Sequence, residues 1–303
     1  MSSLLSICDI KEDVSYIIDL ASKIKAGEIE KKPLEGKTLA MIFQKSSTRT
    51  RVSFDVGMYQ LGGRAIFLSS NDLQMGRGEP ISDTAKDLSR FVDGIMIRAV
   101  EHNDVVELAK YSDVPVISGL TNLEHPCQAL ADMLTIKEHF GSLEGRKISF
   151  VGDGNNVCNS LLLIAPLLKM DISVACPEGY EPDSEILKTA RRYASQNSTE
   201  ITLTSDVKIA LENSDVVYTD VWVSMGDEAE SKQREMDLKP YQVNSELMSL
   251  ANSEAIFMHC LPAIRGQEVT SDVIDSPRSV IYDEAENRLH AQKAVLYYYL
   301  ADK

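Results

Sequence analysis

The sequence lacks any C-x-x-C pair. Its five cysteines, Cys8, Cys127, Cys158, Cys176 and Cys260, are odd in number and widely separated. That usage argues against a disulfide framework and a zinc ribbon, and it fits a reducing, cytoplasmic setting. No apolar run approaches the roughly 20 residues needed to cross a bilayer. Residues 1–11 lack the basic-then-apolar layout of a secretory signal. The five histidines are scattered without ligand spacing, so no metal site is expected. Repeats and low-complexity tracts are missing too. Basic residues are in deficit: 31 Lys and Arg against 46 Asp and Glu give a formal net charge of −15. Neither nucleic acid nor an anionic membrane is therefore an expected partner. If the substrate is an anion, its arginines must be gathered locally against the global field.

The hydrophobic fraction of 44% and charged fraction of 25% are those of an ordinary globular protein. A chain of 303 residues exceeds what one hydrophobic core usually serves, so two domains are expected. Short β-rich runs recur at 38–43, 65–68, 94–97 and 115–118, then at 147–151, 172–176, 201–203, 216–219, 255–259 and 280–282. Most are continuous apolar runs, which suits strands covered on both faces. Helix-length stretches such as 103–111 and 184–195 separate them. The alternation predicts an α/β fold of two domains, each a parallel sheet flanked by helices. A helix at 127–139 ends at Gly141, a suitable helix-terminating glycine, which divides the chain into domains 1–140 and 141–283. The last segment, 284–303, reads as a helix that packs back on the first domain.

Three strand ends carry chemistry in the first half. Strand 38–43 is followed by Gln44-Lys45-Ser46-Ser47-Thr48-Arg49-Thr50-Arg51, then by an amphipathic stretch with Val52, Val56 and Tyr59 on one face. Ser47, Thr48, Arg49 and Thr50 at a helix start would bring free N–H groups, hydroxyls and a guanidinium to one point, a receptor for phosphate. Taken alone, the motif reads more readily as an ordinary Ser/Thr cap with solvated arginines. Arg98 follows the third strand, and His125-Pro126-Cys127-Gln128 opens a helix after the fourth. Ligands in open α/β sheets collect beyond the C-terminal strand ends, so all three features should face one crevice.

The set S-T-R-T-R, a lone Arg after strand three and H-P-x-Q resembles the carbamoyl-phosphate domain of the aspartate/ornithine transcarbamylase family, and nearly the whole chain follows that family's order of motifs. The resemblance implies that Ser47, Thr48, Arg49 and Thr50 hold the phosphate. It implies that Arg98, His125 and Gln128 address the carbamoyl carbonyl and neighbouring oxygens, with Arg98 and His125 catalytic. Gln74, in L-Q-M-G, takes the place of a further contact on a loop that often reaches a neighbouring subunit. Arg288, near the start of the last helix, matches a contact to the same pocket. Carbamoyl phosphate is already an activated acyl donor, so no cofactor is needed. What remains is charge stabilisation on the carbonyl oxygen and on the departing phosphate.

In the second half, Gly152-Asp153-Gly154-Asn155-Asn156-Val157 nearly spells a dinucleotide-binding fingerprint, with Val157 at the third glycine position. A lone near-match is weak, and an NAD-dependent dehydrogenase is the alternative from another enzyme class. In ornithine-binding members of the family the second Asn contacts the amino acid, which implicates Asn156. Asp220-Val221-Trp222-Val223-Ser224-Met225-Gly226 matches the family's ornithine signature, which implicates Asp220, Ser224 and Met225. His259-Cys260-Leu261-Pro262-Ala263 implicates Cys260, catalytic, and Leu261. Cys260 and Ala263 stand where aspartate-specific members carry Pro and Arg, although Arg265 lies nearby.

The resemblance thus implies transfer of the carbamoyl group to the δ-amine of L-ornithine, giving citrulline for arginine biosynthesis. The expected assembly is a homotrimer or a multiple of trimers. Aspartate, putrescine and N-acetylornithine stay open as other acceptors, and so does a catalytically silent binding subunit.

Overall fold

The computed structural model describes residues 2–29, 32–69, 73–223 and 230–302. The chain forms two compact units, Met1–Leu134 with Glu286–Lys303 and Thr135–Ala285.

The first unit contains α1 (Val14–Ala26), β1 (Thr38–Phe43), α2 (Thr48–Gln60), β2 (Arg64–Ser69), α3 (Ile81–Leu88), β3 (Gly94–Arg98), α4 (His102–Tyr111), β4 (Val116–Leu120) and the start of α5 (Pro126–Phe140). Its four strands are parallel in the order β2-β1-β3-β4. The chain passes from β1 outward to β2 and then returns to β3 on the other side, so the order reverses between β1 and β3. Phe43 and Arg98, the last residues of those two strands, are register partners. This reversal point is where an open α/β sheet offers a crevice for ligands.

The second unit contains β5 (Lys147–Val151), α6 (Asn156–Leu167), β6 (Asp171–Ala175), α7 (Ser184–Asn197), β7 (Ile201–Thr204), α8 (Val207–Leu211), β8 (Val216–Tyr218), α9 (Ser231–Leu238), α10 (Ser245–Met248), β9 (Ile256–Met258) and α11 (Ser271–Ile274). Its five strands are also parallel, in the order β7-β6-β5-β8-β9. The reversal here lies between β5 and β8. The loops after β5 and β8, carrying the 152–156 segment and Asp220, therefore leave the sheet side by side. β9 places Cys260 next to them.

The continuous apolar runs become central strands: every residue of β1 after Thr38, and all of β3, is buried. The run at 280–282 does not form a tenth strand. Ser279 makes only an isolated bridge to Phe257, and the Val280 N–H donates to the Phe257 carbonyl at 3.0 Å. The chain then turns directly into α12 (Ile281–Leu300). Asp283 and Glu284 in its first turn favour a helix N-terminus, and three β-prone residues are too few to outweigh that.

Helix α2 also departs from expectation. Its buried face is Thr50, Ser53, Phe54, Gly57 and Met58. Val52, Val56 and Tyr59 are exposed, Tyr59 at 80%. Gly57 lets α12 approach closely: a Cβ there would lie 3.3 Å from Lys293 Cγ and 3.6 Å from Leu296 Cδ1. Among the described residues no helix is long and apolar enough to cross a membrane.

Candidate active site

In the first unit the candidate anion site is built from the strand ends upward. Ser47 caps α2, its Oγ accepting from the Thr50 N–H at 3.3 Å, so Thr48 and Arg49 occupy the first turn, where N–H groups lack helical partners. Thr50 is buried, and its hydroxyl oxygen accepts from Arg98 Nη1 at 3.4 Å and from Arg288 Nη2 at 3.1 Å. Arg288 Nη1 donates to Gln128 Oε1 at 2.6 Å, and Gln128 Nε2 donates to Asp132 Oδ1 at 2.7 Å. Arg98, Arg288, His125 and Gln128 are all buried.

The charges of three guanidiniums are felt at the imidazole. Burial holds His125 well below its ordinary value of 6.5, and Arg288, Arg98 and Arg49 push in the same direction. His125 is thus a neutral hydrogen-bonding group at physiological pH, set among permanent positive charges. Arg49, Arg98, His125, Gln128 and Arg288 share one locality in a chain whose net charge is strongly negative.

Arg51, the second arginine of the motif, stacks instead over the Phe67 ring at 3.8 Å. Gln44 ties the β1 and β3 ends together. Its N–H donates to the Arg98 carbonyl at 3.0 Å, and its Oε1 accepts from the Val100 N–H at 2.8 Å. Gln74 is exposed in a short 3-10 turn, Gln74–Arg77. Cys127 is fully buried, which pushes its thiol up to about 12, so it packs rather than reacts.

In the second unit Asp220 is the hub. Its Oδ2 accepts from Asn155 Nδ2 at 2.8 Å, and its Oδ1 accepts from the Val221 N–H at 2.8 Å and from the Cys260 thiol at 3.1 Å. Asn155 also caps α6, its Oδ1 accepting from the Val157 and Cys158 N–H groups. One side chain thereby fixes both the helix start and the carboxylate. Asn156 is the first residue of α6 and half-buried. Ser224 and Met225 lie outside the described residues.

The Cys260 loop is held from behind by a buried network that the sequence motifs did not reveal. His259 Nδ1 accepts from the Leu261 N–H at 2.9 Å, so Nε2 carries the proton that meets Glu268 Oε1 at 3.1 Å. Glu284 accepts from the His259 N–H at 2.9 Å and from the Tyr218 hydroxyl at 3.0 Å. Leu261 sits at φ 58°, a left-handed conformation that a branched side chain adopts only when its surroundings impose it. Ligand-type atoms of Asp220, His259 and Cys260 lie within 4.8 Å of one another. The hydrogen bonds already described engage both His259 nitrogens and the thiol.

Two observations bear on the alternatives. A Cβ at Gly154 would lie 2.3 Å from the Pro182 nitrogen, and the Gly154 N–H donates to the Tyr180 carbonyl at 2.8 Å. The space that a second fingerprint glycine leaves for a pyrophosphate is filled by the chain itself. Arg265 pairs with Asp275 at 2.9 Å on an exposed surface, away from a role in gripping a second substrate carboxylate.

The sequence matches two models of the aspartate/ornithine carbamoyltransferase family, the carbamoyl-P binding domain over residues 2–138 and the Asp/Orn binding domain over residues 144–299. It is 75% identical to the ornithine carbamoyltransferase of Methanobrevibacter smithii, over 99% of this chain and 100% of that one. It is 61% identical to that of Methanothermobacter thermautotrophicus, over the full length of both. The fold is similar to the ornithine carbamoyltransferase of Pyrococcus furiosus, with TM-score 0.95 and 52% identity over 99% of this chain and 97% of that one. These matches span the motif-bearing loops of both units, and the chain belongs to the aspartate/ornithine carbamoyltransferase family.

Proposed function

We propose that this chain transfers the carbamoyl group of carbamoyl phosphate to the δ-amine of L-ornithine, releasing L-citrulline and phosphate. The observation that carries the reading is the meeting of Arg98 and Arg288 on Thr50 at the start of α2, with Arg49 and the buried, neutral His125 near enough to be coupled to them.

In this reading the first unit holds the donor. The α2 N-terminus with Ser47, Thr48, Arg49 and Thr50 takes the phosphate, joined by Gln74. Arg98 and neutral His125 donate to the carbonyl oxygen, where negative charge grows as the tetrahedral centre forms. The second unit holds the acceptor. Asp220 pairs with the α-ammonium of ornithine, Asn156, Ser224 and Met225 line the amino acid, and Cys260 and Leu261 face the reacting groups.

The free δ-amine has a pKa of about 10.4 in water and must lose a proton to attack. Its nitrogen lone pair forms the new C–N bond. The bond between the carbonyl carbon and the bridging oxygen breaks, and phosphate departs with that electron pair. The ammonium proton shed before attack goes to solvent, and the proton released from nitrogen as the C–N bond forms goes to the departing phosphate. Every atom is accounted for without a cofactor.

We further assign the chain to arginine biosynthesis in the cytoplasm, a placement supported by its five free cysteines. A homotrimer, or a multiple of trimers, is the proposed assembly. The exposed apolar stripe Val52, Val56 and Tyr59 on α2, beside Phe67 on the edge strand β2, supports a contact between copies.

The test is product analysis with carbamoyl phosphate and each of ornithine, aspartate, putrescine and N-acetylornithine. Citrulline from ornithine, with the other acceptors turned over at least 10²-fold more slowly, is expected. Preferential carbamoylation of any other acceptor would overturn the assignment.

A further inference from the structure

Asn155 uses the two ends of one amide for two separate jobs. Its Oδ1 accepts from the Val157 and Cys158 N–H groups at 3.0 and 3.2 Å, capping α6, while its Nδ2 donates to Asp220 Oδ2 at 2.8 Å. The orientation of a side-chain amide has to be inferred from its neighbours, and here they agree. Backbone N–H groups only donate, and an ionised carboxylate only accepts. The main chain on the near side is fixed as well: a Cβ at Gly154 would collide with Pro182, and the Asn155 N–H donates to the Asp153 carbonyl at 2.7 Å.

Asp220 is a buried carboxylate whose donors among the described residues are all neutral: an amide, a backbone N–H and a thiol. A buried charge is stable when it meets an opposite one, so this carboxylate suits a cationic ligand. It offers roughly four acceptor directions. The Val221 N–H and the Cys260 thiol take Oδ1, and Asn155 takes one side of Oδ2. What remains is one direction on Oδ2, the oxygen that Asn155 holds.

We infer that Asn155 is a positioning residue: its amide sets the rotation of the Asp220 carboxylate so that the open side of Oδ2 meets the α-ammonium of the acceptor amino acid. This rests on the proposed ornithine chemistry and deepens it, because it makes Asn155 a determinant of acceptor affinity. The two jobs can be separated by substitution. Serine and aspartate cap helices about as well as asparagine does. Neither carries the amide N–H that meets Asp220, and aspartate adds a like charge beside it.

The experiment compares the wild type with Asn155→Ser, Asn155→Asp, Asp220→Asn and the double variant of Asn155→Ser with Asp220→Asn. The readouts are steady-state citrulline formation, inhibition by norvaline, calorimetric titration of carbamoyl phosphate, and thermal melting. Norvaline keeps the α-ammonium and carboxylate of ornithine but lacks its δ-amine. In Asn155→Ser, KM for ornithine and the inhibition constant of norvaline should both rise about tenfold, since a hydrogen bond to a charged group is lost. Its kcat should fall less than threefold, and its carbamoyl phosphate affinity should stay within twofold. Asn155→Asp should raise both constants further through like-charge repulsion. In the Asp220→Asn background the serine substitution should add less than twofold, because its effect passes through the carboxylate. If the serine protein loses cooperative melting, the aspartate variant carries the comparison.

Wild-type constants in both the serine and the aspartate variants would reduce Asn155 to a helix cap and overturn the inference. So would a rise in KM for ornithine with no change for norvaline, which would move the effect to the reacting amine. An undiminished serine effect in the Asp220→Asn background would overturn it too. A wild type that forms no citrulline from ornithine would instead sink the proposed reaction, so the two failures are told apart.

Discussion

Replacing Arg98 by lysine tests whether the pocket works through charge alone or through the shape of its donors. Arg98 ends β3, is buried, and reaches Thr50 through Nη1 at 3.4 Å. Its planar fork can direct two N–H groups toward a carbonyl oxygen and its neighbours, whereas a lysine ammonium is a compact point charge. In Arg98→Lys the positive charge stays, and burial continues to hold the His125 imidazole neutral. What is lost is one preorganised donor. Removing such a donor elsewhere costs about 10²–10³ in kcat, or about 2.7–4 kcal/mol of transition-state stabilisation. Arg98→Lys should sit near the lower figure and Arg98→Met near the upper. Carbamoyl phosphate binding should weaken by less than about tenfold in the lysine variant, because Arg49, Arg288 and the α2 N-terminus remain. The assay is steady-state citrulline formation from ornithine, with kcat and each KM measured separately. If kcat for both variants stays within threefold of wild type, the argument that Arg98 stabilises the developing oxyanion is wrong.

Asp220→Asn should raise KM for ornithine by about 10²-fold, since losing one member of a buried charged pair costs about 2–5 kcal/mol, and should leave carbamoyl phosphate affinity within twofold. His125 predicts an acid limb in stability. Its folded-state pKa lies well below 6.5, so below that value the unfolded chain binds the extra proton, and stability falls as pH falls. The slope from this residue is at most about 1.4 kcal/mol per pH unit, and denaturant titrations of His125→Asn between pH 6.5 and 5 should show a shallower decline than wild type. Gly154→Ala should destabilise the second unit by about 1–3 kcal/mol and weaken ornithine binding, because the new methyl would collide with the Pro182 main chain. An unchanged melting profile and KM would show that the 152–156 loop is not held as described.

Much of this architecture is legible in the sequence because fully buried parallel strands leave long apolar runs. The limits of β1 and β5 agree with the runs at 38–43 and 147–151 to the residue. Legibility fails where the signal is local and the cause is tertiary. Val52, Val56 and Tyr59 share one face by spacing, yet that face is exposed, and it is Gly57 on the buried face that α12 approaches. The 280–282 run has β-prone residues but acidic neighbours that start a helix.

Within the proposed site, the residues assigned to the substrates sit in short motifs at strand ends and are easy to find. Their supports are not. Asp132 reads as one more polar residue on a helix, Glu268 and Glu284 as surface acids, and Asn155 as the lesser of two adjacent asparagines. Each is identified by what it touches: Gln128, His259, the Cys260 loop and Asp220 respectively.

The proposed reaction depends most on separate strand ends and the last helix acting on one small anion. Calorimetric titration of carbamoyl phosphate into wild type and into Arg49→Met, Arg98→Met and Arg288→Met addresses that directly. One site per chain, weakened in all three variants, is the predicted result. Wild-type affinity in any one of them would contradict a shared pocket.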